Sequence, residues 1–500
     1  MESATMKFNS LMLSMMLAIG AAATTTVSAG GDEAMRVTHG VASGDVTARS
    51  AVIWSRTDSE GYMHVKIDGP VRGKKIKTIK VDASGDYTGK VLFNGLKADK
   101  EYEYKVWFTE SKRSHDDDNS ESGQFKTAPK ANRKAEVSFA WGGDVAGQNV
   151  CRDANEGFPI FAAVNNLQPD FFIGLGDMIY ADGVCEAVGR YGNQQIAGDF
   201  IYSADLDNYW AHWKYNREEL NYSEMLRQTP YIAIWDDHEV VNDFGPLHDT
   251  RDAAPYTPGE HLLPIGLQAF LDYNPIAESS RTPGRLYRNI RWGQHLELIV
   301  LDNRQYRDAN LEEDDEVLVK TMLGREQLSW VKETVKQSDA TWKVIVSSVP
   351  ISIPTGFPVE NGRDGWADFD QPRGFEQELK DLLKFMHQQG ERNIVFITTD
   401  VHFAEIFRYT PFAEDPDFHV HEGVTGPMNA GLFPNRDFDT TLGTESLFFY
   451  GPDSSNVGSY QEARQWMNFG AVEIDEQGQF TLSVIDVDGN EVYRNTLMPQ

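Results

Sequence analysis

Four apolar runs in this chain end on a carboxylate. They read Phe139-Ala140-Trp141-Gly142-Gly143-Asp144, Ile173-Gly174-Leu175-Gly176-Asp177, Ile232-Ala233-Ile234-Trp235-Asp236-Asp237 and Ile397-Thr398-Thr399-Asp400. A single aspartate after a strand is ordinary turn chemistry. Here, however, further donors stand beside the ends: Tyr180 three residues after Asp177, His238 and Glu239 directly after Asp237, and His402 two after Asp400. If these groups share one crevice, each pair of carboxylates about 4 Å apart costs on the order of 1 to 4 kcal/mol near a surface, and the four cannot all stay ionised without cations. Convergence therefore predicts bound metal, held mainly by hard oxygen donors.

Ligand crevices of open α/β sheets lie outside the carboxyl ends of the strands, so strands alternating with helices should position these residues. Beyond residue 134 the pattern has that grammar. Residues 136–141 and 171–175 read as strands on either side of a helical face of Ile160, Phe161, Val164 and Leu167. Leu328, Val331 and Val335 mark a helix before a strand at 342–347, and Phe375, Leu379, Leu382, Leu383 and Met386 mark another, closed by Gly390, before 394–397. The expectation is an α/β (α+β) domain over residues 131–500 with a partly parallel sheet. Upstream, short stretches such as 51–54, 63–67, 75–81 and 102–108 alternate with period two, the pattern of antiparallel β-structure. Residues 94–106 resemble a strand-corner-strand of a fibronectin type III-like fold, so residues 35–130 are expected to form a separable N-terminal β-sandwich.

The 500 residues carry a formal net charge of −30 and lack the basic footprint of a nucleic-acid binder. An anionic substrate would be repelled unless local cations reverse the field. Lys7, an apolar run over residues 11–23 and Val27-Ser28-Ala29 together predict a cleavable signal peptide at residues 1–29, without a twin-arginine pair, and hence a periplasmic or secreted protein. A run of that length falls short of the roughly 20 residues that cross a bilayer, so no transmembrane segment is expected. Cys151 and Cys185 follow the first and second motifs. In an oxidising compartment they could pair; the alternative is two free buried thiols. The aspartates at 116–118 read as a solvated hairpin tip, and His212, His419 and His421 as structural or exposed histidines.

Taken together, Gly143-Asp144-Val145-Ala146-Gly147-Gln148, Gly176-Asp177-Met178-Ile179-Tyr180, Trp235-Asp236-Asp237-His238-Glu239, Leu301-Asp302-Asn303-Arg304-Gln305-Tyr306-Arg307, Thr399-Asp400-Val401-His402 and Gly426-Pro427-Met428-Asn429-Ala430-Gly431 resemble the alkaline phosphatase D (PhoD-type) family of calcineurin-like and purple-acid-phosphatase-like metallophosphoesterases. The resemblance implies a metallophosphoesterase-type sandwich of β-sheets flanked by helices. It also implies ferric iron held by Asp144, Asp177, Tyr180 and His402, with Asp177 bridging to a second metal at Asp237 and Asp400 and Asn242 a further candidate. Two departures stand out. Many members carry a cysteine where this chain has Asp144, and the histidine that the wider superfamily places in the strand at 344–349 is absent. The oxygen-rich second site suits calcium, with manganese or magnesium as alternatives and zinc less favoured.

The implied reaction is hydrolysis of small phosphate esters by a metal-bound hydroxide, with His238 protonating the leaving oxygen. Asp144, Asp177, Asp237, Asp400 and an ionised Tyr180 total −5, which ferric iron and one divalent ion only neutralise. A further cation is therefore expected, either calcium or an arginine such as Arg152, Arg190 or Arg304. The motifs leave open a nucleotidase or phospholipase-type phosphodiesterase, and outside enzymes a metal-stabilised surface binding protein. Oligomeric state is not legible.

Overall fold

The strands at 296–300, 342–346 and 394–398 are apolar at most positions and buried throughout, as expected where both faces of a sheet are covered. In the computed structural model, which describes residues 35–500 apart from 115–116, 246–258, 311, 316, 318, 357–362, 370 and 455, alternate side chains of these strands serve two cores. Trp342, Val344 and Val346 of strand Trp342–Val346 face one core and Ile345 the other; Val395 and Ile397 of strand Ile394–Thr398 likewise oppose Ile394 and Phe396. The first core lies between two sheets. The second lies under helices Gly324–Gln337 and Glu376–Gln388, whose apolar residues were spaced as the helical reading expected.

A nine-stranded sheet has at its centre the parallel strands Val137–Gly142, Phe171–Leu175 and Tyr231–Ile234. A seven-stranded sheet runs parallel through Leu296–Val300, Trp342–Val346, Ile394–Thr398 and Val420–Val424. Packed against each other, these mixed sheets with flanking helices form the expected α+β sandwich.

The N-terminal region forms the expected sandwich around its own core, which includes Val41, Ile53, Met63, Val65 and Val106, but one of its two sheets is continuous with the nine-stranded sheet. Its tyrosine corner is present: Tyr102 Oη donates to the Pro70 carbonyl at 2.9 Å and accepts from Lys97 N at 2.8 Å. Four of its strands form their own sheet, Ile76–Val81, Gly61–Asp68, Glu101–Thr109 and Glu121–Lys126. The other three, Val41–Gly44, Ser50–Arg56 and Thr88–Asn94, extend the nine-stranded sheet, because Val41–Gly44 pairs in parallel with Tyr231–Ile234. Trp54 further donates from Nε1 to the Asp272 carbonyl at 2.7 Å. Removing residues 30–128 would bare the Tyr231–Ile234 edge of that sheet and leave the Asp272 carbonyl without its indole donor, so the N-terminal sandwich shares its sheet with the rest of the chain.

The expected signal peptide lies outside the described residues, as does Asp116 of the acidic tip. Among the described residues no helix is long and apolar enough to cross a membrane.

Candidate metal centre

The four carboxylate-bearing ends do converge. Sharp turns aim them: Asp144, Asp177, Asp400 and His402 have φ of 62°, 53°, 83° and 59°, in the left-handed region where a non-glycine residue costs on the order of 1 to 3 kcal/mol. Such strain persists only where surrounding contacts over-determine it. Val145 N donates to the Asp177 carbonyl at 2.8 Å, and Glu239, the last residue of Asp-Asp-His-Glu, accepts from the backbone N–H of Asp177 (3.0 Å), Met178 (2.8 Å) and Asp236 (2.9 Å). Glu239 is thus a buried brace between two motif loops. Gly426 and Gly147 are required by space, since a Cβ would fall 2.4 Å from Asp144 Oδ2 and 2.4 Å from the Tyr180 ring respectively.

Two adjoining groups of donors result. In the first, Tyr180 Oη lies 2.9 Å from His402 Nε2, which is 3.5 Å from Asp144 Oδ1. In the second, Asp177, Asp237 and His238 bring ligand-capable atoms within 4.8 Å of one another. Tyr180 and His238 join the groups, their ring centroids 4.0 Å apart. Asp177, Asp237, His238, Asn242, Asp243, Asp400 and His402 line a cleft of about 190 Å³.

The donors fit cations. Asp144 Oδ1 and Asp400 Oδ2 are buried without a hydrogen-bond partner, although Asp144 Oδ2 accepts from Thr399 Oγ1 at 2.7 Å. Burial, reinforced by neighbouring carboxylates, pushes Asp144 up to about 7 and Asp237 to about 6, and lifts Asp177 and Asp400 well above the ordinary carboxylate range. Burial likewise lowers His402 to about 3. Its Nδ1 donates to the Gly431 carbonyl, fixing a neutral tautomer whose Nε2 lone pair faces Tyr180 and Asp144. Burial and the nearby Asp177 and Asp144 hold the Tyr180 phenol well above 10, so only a strongly polarising ion would make it a phenolate.

His238 has a partner that the motifs did not reveal: its Nδ1 lies 2.6 Å from Asp182 Oδ1, while Asp182 Oδ2 accepts from Asn242 N at 2.9 Å. Burial opposes the charged imidazole, but Asp182 and Asp237 outweigh it and raise His238 to about 10.

The expected arginines are elsewhere. Arg304 is fully buried beneath the site; Nε and Nη2 grip the two Asp236 oxygens at 2.6 and 2.8 Å and Nη1 reaches Asp364 at 2.6 Å. Its donors are committed, so it does not contact substrate. Arg152 turns away to the Tyr215 carbonyl at 2.9 Å and Glu218 at 3.2 Å, whereas Arg190, exposed beside Tyr191 and outside the cleft lining, is near enough to Gly431 to act electrostatically on His402. Among the described residues the arginine that lines the cleft is Arg436, which stacks 5.1 Å from Phe433, itself 4.5 Å from the His402 ring. Burial lowers the Arg436 guanidinium against the pull of Asp400. Its only sequence signal was its place in the segment after Gly426-Pro427.

His212 hydrogen-bonds the Ile201 carbonyl at 3.2 Å, and His419 and His421 meet edge to face, outside the cleft lining. Cys151 and Cys185 are joined by a disulfide with a Cα–Cα distance of 5.8 Å.

The PhoD-like phosphatase profile matches residues 139–483, which hold every residue of this centre. The chain belongs to the PhoD-like phosphatase family. The profile of the PhoD-like N-terminal domain matches residues 22–129. Alkaline phosphatase D of Bacillus subtilis (strain 168) is 25% identical over 409 residues, covering 73% of this chain and 64% of that protein, so the match spans just under two thirds of the relative's length. The solved structure of PhoD superposes with a TM-score of 0.71 over 94% of both chains at 20% identity. A purple acid phosphatase from yellow lupin seeds superposes with a TM-score of 0.57 over 92% of this chain and 74% of its own, at 14% identity. These PhoD-like and purple acid phosphatase likenesses establish the shared fold.

Proposed function

We propose that this PhoD-like chain is an exported, metal-dependent phosphohydrolase, an alkaline phosphatase or phosphodiesterase acting on small phosphate esters. The observation that carries the reading is the meeting of Tyr180, His402 and Asp144 with the Asp177–Asp237 pair around one cleft, with buried carboxylate oxygens unsatisfied by any protein donor. Asp144, Asp177, Tyr180 and His402 would hold ferric iron. Asp177, Asp237 and Asp400, with Asn242 beside them, would hold calcium, with manganese or magnesium as alternatives on donor chemistry and zinc less suited. When bound, these cations would acidify a water for attack on phosphorus and neutralise phosphoryl oxygens.

The chain's own residues supply the rest. Arg436 provides a guanidinium for the phosphoryl group inside a protein whose net charge would otherwise repel it. Asp182 fixes His238 through Nδ1, leaving Nε2 as the nitrogen that can hand a proton to the departing oxygen. Asp182 favours the protonated imidazole at that position. Phe433 covers the outer face of His402 and limits water there. Export is supported by the N-terminal signal pattern and by the Cys151–Cys185 bridge, which belongs to an oxidising compartment.

The test is hydrolysis of p-nitrophenyl phosphate and bis-p-nitrophenyl phosphate by the purified chain, before and after chelation. Turnover of at least one ester that chelation abolishes is expected. Metal-replete protein that hydrolyses neither would overturn the reading.

A further inference from the structure

Outside the cleft, Asp368, Glu376 and Asp439 converge from three separate segments, with ligand-capable oxygens within 4.8 Å of one another. They are only 3%, 2% and 2% exposed. Lys380 Nζ donates to Glu376 Oε2 at 2.9 Å, and Arg363 is close enough to act on Asp368 electrostatically. Burial and the adjoining Glu376 push the Asp368 carboxyl up to about 8, because acidic groups this close cannot all ionise without a cation. Thr441 Oγ1 donates to Glu376 Oε1, and Asp439 accepts from Phe369 N at 2.5 Å and Thr441 N at 2.7 Å. Asp368 differs from both neighbours: its Oδ1 is buried and no donor among the described residues reaches it, while its carboxyl lies against Glu376. A protein donor that fails to reach a buried carboxylate oxygen leaves an uncompensated desolvation cost, which a cation would remove.

We propose that Asp368, Glu376 and Asp439 form a structural site for a divalent cation of the calcium class, separate from the catalytic centre. The donors are all hard oxygens, without the nitrogen or sulfur that would select zinc. None of the three lines the cleft. The site would nonetheless steady both of the cleft's walls. The segment bearing Asp368 also carries Asp364, which holds Arg304 and Arg307, and the segment bearing Asp439 carries Phe433 and Arg436. Glu376, the first residue of helix Glu376–Gln388, ties the two segments to the body of the domain.

The inference does not rest on the proposed reaction, and its test can be kept apart from the catalytic metals. Asp237 belongs to both acidic groups of the cleft, Asp177-Asp237-His238 and Asp237-Asp243-Asp364, so Asp237→Ala weakens both at once. Calcium chloride is titrated by calorimetry into the full-length Asp237→Ala protein after dialysis against EGTA. One calcium per chain is expected, raising Tm by about 3 °C at a hundredfold excess over Kd. Adding Asp368→Asn or Asp439→Asn should abolish both effects. Glu376→Gln, made separately, should weaken calcium binding at least tenfold, so that a folding failure of one aspartate variant does not remove the test. No calcium binding in the Asp237→Ala background, or binding that these substitutions leave unchanged, would overturn the proposal.

Discussion

Replacement of Arg304 separates two roles that its motif alone could not distinguish. A phosphate-binding arginine would face the cleft, and its loss would raise KM while leaving the fold intact. The structure instead has a guanidinium at 0% exposure that makes three charge-assisted hydrogen bonds, two to Asp236 and one to Asp364, and whose Nη2 lies 3.7 Å from Asp237 Oδ1. Arg304→Met keeps much of the volume but leaves Asp236, 0% exposed, with Ser348 Oγ and no cation, while Asp364, 1% exposed, keeps Arg307 and Asn310. Breaking a buried ion pair on one side costs about 3 to 5 kcal/mol, because the charge left behind has neither water nor counter-charge. For a chain of this length the unfolding entropy is about 1 kcal/mol/K, so Tm should fall by about 3 to 5 °C. Arg304→Lys should recover little, since an ammonium cannot grip both Asp236 oxygens. Adding Asp236→Asn to Arg304→Met should restore about 1 to 2 kcal/mol by removing one stranded charge. Differential scanning calorimetry gives the stabilities and p-nitrophenyl phosphate kinetics gives KM. An Arg304→Met protein that melts within 1 °C of wild type while KM rises tenfold would refute the buried-pair account and return Arg304 to the substrate.

Asp177→Ala should abolish hydrolysis and release metal, whereas Tyr180→Phe should retain more activity while bleaching any phenolate-to-iron charge-transfer band; absorption spectra and metal analysis read both, and a colourless, iron-free, fully active wild type would exclude ferric iron. Arg436→Gln should lower kcat/KM about 10- to 100-fold, the 1.5 to 3 kcal/mol of a charge-assisted contact; unaltered kinetics would remove it from the phosphate site. Burial raises Glu422 to about 7 against hydrogen bonds from Tyr409, Ile351 and Thr398. Its folded form therefore holds a proton that the unfolded chain releases near 4.5, and this contribution to stability declines as pH rises from 4.5 through 7, by at most about 3 kcal/mol. Glu422→Gln should flatten that slope in pH-dependent melts, and an unchanged slope would show that Glu422 is not its source. Breaking the Cys151–Cys185 bridge, which closes a separation of 34 residues between the first two motif loops, should cost about 3 to 4 kcal/mol, measured on the Cys151→Ala, Cys185→Ala double variant; a loss under 1 kcal/mol would mean that the loops converge without it.

What the sequence by itself determined is local. Apolar runs of strand length, helical spacings such as Leu379, Leu382, Leu383 and Met386, and aspartates at strand ends are properties of neighbouring residues. They predicted a partly parallel α/β domain with aspartates at its strand ends, while the sandwich of two sheets was what the likeness to PhoD-type phosphatases implied. The tertiary structure decided everything that depends on which distant strands are neighbours. Asp236 and Asp237 are adjacent in the chain, yet one turns down to Arg304 and Ser348 while the other lines the cleft, because successive positions face opposite surroundings and only the packed sheets say which is which. Arg436 and Asp182 reach the cleft on loops with no periodicity to announce them, whereas Arg304, conspicuous in its motif, is buried as a counter-charge. The parallel pairing of Val41–Gly44 with Tyr231–Ile234 likewise joins residues almost two hundred positions apart. Local pattern encodes that a strand forms and which face is apolar; its partner is set by the burial and hydrogen bonding of the whole sheet, a sum over long-range contacts that no short window of sequence contains.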